Sequence, residues 1–331
     1  MIPGAALADW LADRDAQRRS FDKVDAFAQK WGTQPLMTQL ERAVSELQPR
    51  TAKGLLAIAR RFMDKGAEIE TMMRELIATS SLDPFFRPPF HPLTSEVQSS
   101  LLLYHHPDLS ISLGVTGVDM LAAKKSGRTA PASVNFTGYF SLLRFLKAGG
   151  ATLSFWEAPP IEDSFDAASA GSCRMVERRR IADGEEVVID GRYQSFVIEH
   201  ATSDILIFQA VARAGCAPVG TEYDYDSRRF IGASSTDEAS SRLQMMVSLL
   251  RAMDREDAFP LLEEALQAPQ FYTRWYVMRE MLAMDAEAAL PSLRRLAAAD
   301  PHPDVRTAAQ QALDLFFPDV GQAEGAAQCR A

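Results

Sequence analysis

Three observations predict an α+β multidomain chain. At 331 residues it exceeds the ~250–300 residues at which one hydrophobic core stops growing. The apolar period is helical over residues 20–80, strand-like through the middle and helical again towards the end. Near the C-terminus the sequence repeats itself: Leu250-Arg251-Ala252-Met253-Asp254 returns 31 residues later as Met281-Leu282-Ala283-Met284-Asp285, and Pro260 returns as Pro291. A fixed period of about 20–50 residues marks stacked units that bury their apolar faces only against one another.

Residues 1–82 form a helical N-terminal region. Phe21, Val24, Phe27 and Trp31 share one helical face, with Ser20 as the expected N-cap and Gly32 as the stop. A second helix fits Leu36 to Leu47 and ends before Pro49. A third carries Leu55, Leu56, Ile58, Ala59, Phe62 and Met63 up to Gly66, and a fourth carries Ile69, Met72, Met73, Leu76 and Ile77. A methionine and aromatic stripe at this spacing reads as core. In the linker, residues 83–94, Pro84, Pro88, Pro89 and Pro92 forbid a helix. Phe85, Phe86 and Phe90 between them are expected to lie against a neighbouring domain.

Residues 95–232 read as an antiparallel β-sandwich or barrel. Two Asp-Gly turns, Asp183-Gly184 and Asp190-Gly191, bracket a β-branched run, and strands are expected at Val97–Tyr104, Leu109–Val115, Ala151–Trp156, Asp204–Val211 and Pro218–Tyr225. Tyr139–Lys147 fits a helix or a buried strand. This succession of glycine-bearing turns and paired short strands resembles a cupin-type double-stranded β-helix. The histidine pair and following glutamate of metal-binding cupins are missing, so the resemblance implies the fold without the metal.

Residues 233–318 return to helices. Ala289 to Leu313 contains an Asp300-Pro301 turn followed by Asp304-Val305-Arg306. That pattern is similar to a HEAT repeat, in which a first helix ends at Asp-Pro and the second opens with Asp-Val-Arg. Glu256 to Met284 keeps Pro260 and Arg274 but places Trp275, Tyr276 and Met278 where small residues are usual, and Arg242 to Met253 matches a second helix alone. Two and a half repeats are fewer than an independent solenoid needs, so the array is expected to lean on the β domain through Trp275 and Tyr276. Residues 319–331 are small and polar and are expected to be a disordered tail.

Composition narrows the function. Thirty-five basic against 44 acidic side chains give a net charge of −9, which opposes nucleic acid as a partner. Arg178-Arg179-Arg180 is surrounded by Glu177, Asp183, Glu185 and Glu186 and reads as a solvated strand edge. No stretch approaches the ~18 apolar residues of a membrane span. The N-terminus has no leader-like apolar core. Three separated cysteines, Cys173, Cys216 and Cys329, suit a reducing, cytoplasmic setting.

Five histidines are available to any histidine-based chemistry. His106-Pro107-Asp108, with His200 and then Arg213 further on, is similar to the His-x-Asp, distal His and carboxylate-gripping Arg of iron and 2-oxoglutarate oxygenases. That resemblance implies His106, Asp108 and His200 as ligands of Fe(II), and Arg213 as the residue holding 2-oxoglutarate. His302-Pro303-Asp304 repeats the tripeptide at a helix turn, where Asp304 is the expected cap, so the motif equally serves as a turn. Cys173 and Cys216 read as structural thiols. Glu222, Asp224 and Asp226 read as an exposed acidic strand.

Three readings remain. The first is a protein- or peptide-binding scaffold or regulatory protein without a cofactor, with Arg274, Trp275, Arg279, Arg294 and Arg306 as contacts. Eight arginines against eleven acids between Arg242 and Asp314 favour a protein partner over DNA there. The second is the metal-dependent oxygenase acting on a peptide or carrier-bound substrate. The third is a small-molecule sensor using the barrel interior. Convergent polar groups inside the barrel would favour a site, and an apolar filling would favour the scaffold. Homo-oligomerisation is left open.

Overall fold

A computed structural model describes residues 4–126, 132–162, 165 and 169–318. The predicted tail, residues 319–331, lies outside the described residues. The chain divides into two compact units, one of residues 1–160, 171–217 and 222–231 and the other of 161–170, 218–221 and 232–331.

The first unit opens with five helices: α1 Gly4–Ala12, α2 Arg14–Gly32, α3 Pro35–Glu46, α4 Ala52–Met63 and α5 Gly66–Leu82. α2 begins six residues ahead of the expected Ser20 cap. Asp13 caps it instead, its Oδ1 accepting from Asp15 N–H and Ala16 N–H at 2.9 Å each. Ser20 is buried inside the helix, taking the Trp10 indole N–H and donating to Asp83 Oδ2 at 3.1 Å. A buried hydroxyl with two partners is satisfied mid-helix, so the cap preference of serine is overridden. Gly66 opens α5; the helix before it has already stopped at Met63.

Twelve strands follow: β1 Pro92–Thr94, β2 Gln98–His106, β3 Leu109–Thr116, β4 Ser133–Phe136, β5 Phe140–Lys147, β6 Thr152–Glu157, β7 Arg174–Arg180, β8 Glu186–Asp190, β9 Gln194–His200, β10 Ile205–Ala212, β11 Val219–Asp224 and β12 Phe230–Ser235, with a short helix α6 (Val118–Ser126) after β3. The ambiguous Tyr139–Lys147 segment is the strand β5. β1-β2-β3-β10-β5-β8 form an antiparallel six-stranded sheet, and β7-β6-β9 form a smaller one. A third sheet, order β12-β11-β4, includes the two strands through which the chain passes from one unit to the other.

Helices α2 to α5 and the outer face of the large sheet share one core. Phe27, Trp31, Leu40, Val44, Leu55, Ala59 and Phe62 join Leu109, Ile111, Leu142, Phe208 and Ala210 without a break at the proline-rich linker. Phe86 is buried there, and Phe90 meets Trp31 edge-on at 4.5 Å. Polar ties reinforce the junction: Tyr104 OH donates to Glu41 at 2.7 Å, and Glu186 takes both Arg144 and, at 2.7 Å, Arg60. Burial and the neighbouring Glu41 push the Tyr104 phenol well above its ordinary value. At the β5–β6 turn, Gly149 has φ +58° and its carbonyl accepts from Thr202 N–H at 2.8 Å.

The second unit carries α7 Glu238–Ala252, α8 Phe259–Ala265, α9 Phe271–Met284, α10 Ala286–Ala299 and α11 Pro303–Phe316. Asp237 caps α7 and Asp285 caps α10, each accepting an N–H three residues on. α8 with α9 and α10 with α11 are the two complete pairs, and α7 stacks beside α9 as the second helix of a pair without its first. Val247, Leu262, Val277, Met278, Met281, Leu293 and Val305 form the core between the layers.

Candidate functional site

β3 determines where a site can lie. Its sequence, Leu109-Ser-Ile-Ser-Leu-Gly-Val-Thr116, alternates apolar and polar residues, as a half-solvated strand would. Here the apolar face turns outward to the helices, where Leu109, Ile111 and Leu113 pack. The face of Ser110, Ser112, Gly114 and Thr116 turns into the barrel, so Thr116 is 3% exposed while Val115 is 40% exposed. Gly114 lets neighbouring polar groups close up: a Cβ there would stand 2.2 Å from Ser100 Oγ and 2.8 Å from Gln98 Nε2.

Between the large sheet and β4 and β9 lies a cavity of about 240 Å³. Gln98, Thr116, Ser141 and Gln209 line the wall of the large sheet; Asn135, Gln194 and Ser195 line the other. Leu143, Ile189, Ile207, Ile198 and Phe196 supply its apolar surface, and among the described residues no acidic, basic or histidine side chain lines it. The register explains the convergence, since Gln209 stands opposite Ser112 on β3 and Leu143 on β5. Some of these groups are spoken for: Gln98 Nε2 donates to Ser100 Oγ at 3.0 Å, Gln194 Oε1 accepts from Asp190 N–H at 3.2 Å, and Ser195 Oγ donates to the Asn135 carbonyl. Among the described residues, the Thr116, Ser141 and Gln209 side chains and the Asn135 carboxamide have no hydrogen-bond partner in the protein. Polar groups that line a cavity without a protein partner are satisfied by water or ligand.

The oxygenase residues do not converge. β3 and β10 pair from Leu109 opposite Ala212 to Thr116 opposite Ile205, a length of about 24 Å at ~3.4 Å per residue. His106, Asp108 and Arg213 cluster at the first end. His200 is exposed at the far end of β9, in the smaller sheet, opposite Thr152. Among the described residues no three His, Cys, Asp or Glu side chains stand close enough to hold a metal. His106 and Asp108 have local roles: His106 Nδ1 accepts from Asp108 N–H at 3.1 Å, and the Asp108 carboxylate pairs with Arg50 at 2.7 Å. The second copy of the tripeptide repeats this bond, His302 Nδ1 accepting from Asp304 N–H at 3.2 Å. His302, and not Asp304, is therefore the α11 cap, and its ring stacks on Phe271 at 3.8 Å. His-Pro-Asp makes a hairpin turn in the first place and a helix N-terminus in the second. Arg213 lies over the Tyr139 ring at 5.7 Å with Nη2 3.4 Å from Ser110 Oγ, and its Nη1 is buried without a partner.

Several proposed partner contacts are consumed inside the repeats. Arg274 is buried, donating through Nε and Nη2 to Asp300 at 2.8 and 2.7 Å and through Nη1 to the carbonyls of Ala268 and Pro269. Arg306 repeats this on its own turn, Nη1 reaching the carbonyls of Asp300 and Pro301. Trp275 is half-buried in the repeat core, and the Tyr276 hydroxyl pairs with Ser248. Arg279 and Arg294 are exposed. Cys173 is buried in a cluster with Phe136, Trp156 and Tyr223, and burial pushes its thiol up. Asp224 is tied into its hairpin turn by Ser227, which lowers its carboxyl.

The cavity residues escaped the sequence reading because alternation identifies two faces without saying which one meets water. A signal was present. The helices preceding the β region present more apolar surface than they can bury among themselves, and an apolar strand face must cover it.

Comparison with known proteins finds one family match, in the second unit. Residues 233–314 match the model of HEAT repeats. No curated protein matches the chain. Among solved structures, the chain is similar to ectoine synthase from P. lautus (10% identity, 38% of this chain and 71% of that one, TM-score 0.23). It is also similar to a cupin domain from Bordetella pertussis Tohama I (7%, 37% and 99%, 0.22) and to an RmlC-like cupin family protein from Methanocaldococcus jannaschii (16%, 38% and 90%, 0.22). No described helix is long and apolar enough to cross a membrane.

Proposed function

We propose that this chain is a regulatory binding protein whose β-barrel takes up a small molecule and whose HEAT repeats serve contact with a protein or peptide. The single observation behind this reading is the cavity: a partly open space of about 240 Å³ lined by hydroxyl and carboxamide groups that have no protein partner. A scaffold needs no such space, because filling the barrel with aliphatic side chains would stabilise it more. The oxygenase alternative would need His106 and His200 together, and they lie at opposite ends of the strands. The exposed Arg279 and Arg294 remain candidates for protein contact; Arg274 does not.

The test is thermal-shift screening of the full chain against a metabolite library, alongside two cavity variants. Ser141→Phe fills the space, and Gln209→Leu keeps the volume while removing the carboxamide. A ligand at a hundredfold excess over its Kd adds ~2.7 kcal/mol, a rise of roughly 5–10 °C for a unit of this size. Compounds that stabilise the wild type and lose their effect in both variants support the reading. A screen in which every hit acts equally on wild type and variants would refute it.

A further inference from the structure

Resting on that reading, we infer the chemical class of the ligand: an uncharged, polyhydroxylated molecule about the size of a six-carbon sugar or cyclic polyol.

Charge is the first discriminator. Thirteen residues line the cavity and none is ionisable. A carboxylate, phosphate or ammonium seated there would lose part of its hydration and gain no counter-charge from the lining. The cation Arg213 stands outside the lining, over Tyr139 with Nη2 on Ser110 and Nη1 buried without a partner. Of the acids adjoining lining residues in sequence, Asp190 is paired with Arg192 and Glu199 accepts from the Ser154 and Tyr225 hydroxyls, so each has partners of its own.

Hydrogen-bonding character is the second. A carboxamide offers donors and an acceptor on one planar group, and a hydroxyl offers both on one atom. Asn135, Gln209, Ser141 and Thr116 therefore match a ligand whose groups also donate and accept at once, which describes an alcohol better than a ketone, ether or amine. They stand on both walls of the cavity, so a molecule bearing hydroxyls around its rim satisfies them together. Phe196 and the aliphatic side chains give the carbon–hydrogen face of such a ring a dry surface. A wholly apolar ligand would displace water from Thr116, Ser141 and Gln209 and return no hydrogen bond.

Size is the third. At ~30 Å³ per water, a space of about 240 Å³ holds about eight waters. A six-carbon polyol would displace most of them.

The library is therefore arranged by class: neutral sugars and cyclic polyols, the matched amino sugars and uronic acids, and apolar rings of the same size. Binding is read by thermal shift and by calorimetry on the full chain. The expected result is that hits confined to the cavity are neutral and hydroxylated, that glucosamine-type and glucuronate-type analogues of a hit bind at least tenfold more weakly, and that Gln209→Leu weakens the neutral hit roughly tenfold. Cavity hits that are charged, or apolar rings favoured over polyols, would overturn the class while leaving the binding reading intact. An anionic hit abolished by Arg213→Ala would do the same and locate its charge at the end of the barrel. Only the loss of every cavity-dependent hit, whatever its class, would remove both.

Discussion

Arg274→Ala should be the most damaging single substitution in the repeat unit. The wild-type pair is almost dry, with side-chain exposures of 10% for Arg274 and 1% for Asp300. Truncation leaves Asp300 with only the His302 N–H at 2.8 Å among these contacts, and it strips the carbonyls of Ala268 and Pro269 of their side-chain donor. Removing one partner of a buried ion pair costs about 3–5 kcal/mol, a large share of a typical domain's ~5–15 kcal/mol. With two units in one chain a global unfolding energy is poorly defined, so the measurement is amide hydrogen exchange on α9, α10 and α11. At ~1.4 kcal/mol per tenfold, protection there should fall at least a hundredfold while β3 and β10 are unaffected. Arg274→Met with Asp300→Leu removes both charges and should recover most of the loss. Burial alone would raise the Asp300 carboxyl; the Arg274 and His302 hydrogen bonds outweigh it and hold the group below its ordinary 3.8. A depressed carboxyl stabilises the fold above its unfolded pKa and loses that contribution as pH falls through the folded one. Wild-type protection in the repeats should therefore decline below about pH 4, and the Met/Leu variant should lack that part of the decline. A loss under tenfold for Arg274→Ala would refute the reasoning.

Other outcomes follow from the same geometry. Gly149→Ala forces a side chain onto φ +58° with its Cβ 2.3 Å from the Ser203 carbonyl, and should cost at least ~2 kcal/mol by denaturant titration. His302→Ala removes both a helix cap and the Phe271 stack, a combined loss of about 1–3 kcal/mol; His106→Ala, which lacks the stack, should cost less, and elemental analysis of the purified variants should show unchanged metal content. Reversing Arg279 and Arg294 to Glu should move the unfolding midpoint by no more than ~0.5 kcal/mol equivalent, because both are exposed.

The helices and hairpins were legible because their signals are local. Phe27, Trp31 and Met72 fall on helical faces whatever those faces meet, and Asp183-Gly184 turns with φ +80° at the glycine. The repeat was legible for the same reason: Asp285 caps its helix where Asp254 stands in the preceding unit, and Arg274 and Arg306 each reach the carbonyls five and six residues back. Ser20 and Gly66 misled because a buried partner and a following helix reassigned them. The metal triad misled for a different reason. His106 and Asp108 are adjacent in space as expected, but the position of His200 depends on which end of β10 its turn joins, and that is topology.

The cavity was the least legible feature, and the reason bears on its function. A strand such as β3 has the same sequence whether its serines face water or face inward. Covering its apolar side with helices frees its polar side to become an interior. Turned inward, such groups cost stability unless water or a ligand satisfies them, and the buried Thr116 and Ser141 line the same space as Gln209 and the exposed Asn135. Valine or leucine at the same positions would keep the strand, extend the aliphatic lining of Leu143, Ile189 and Ile207, and remove that cost. A cavity that holds four such groups on opposed walls, with no ionisable side chain among its described lining residues, suits the uncharged, hydroxylated ligand proposed above.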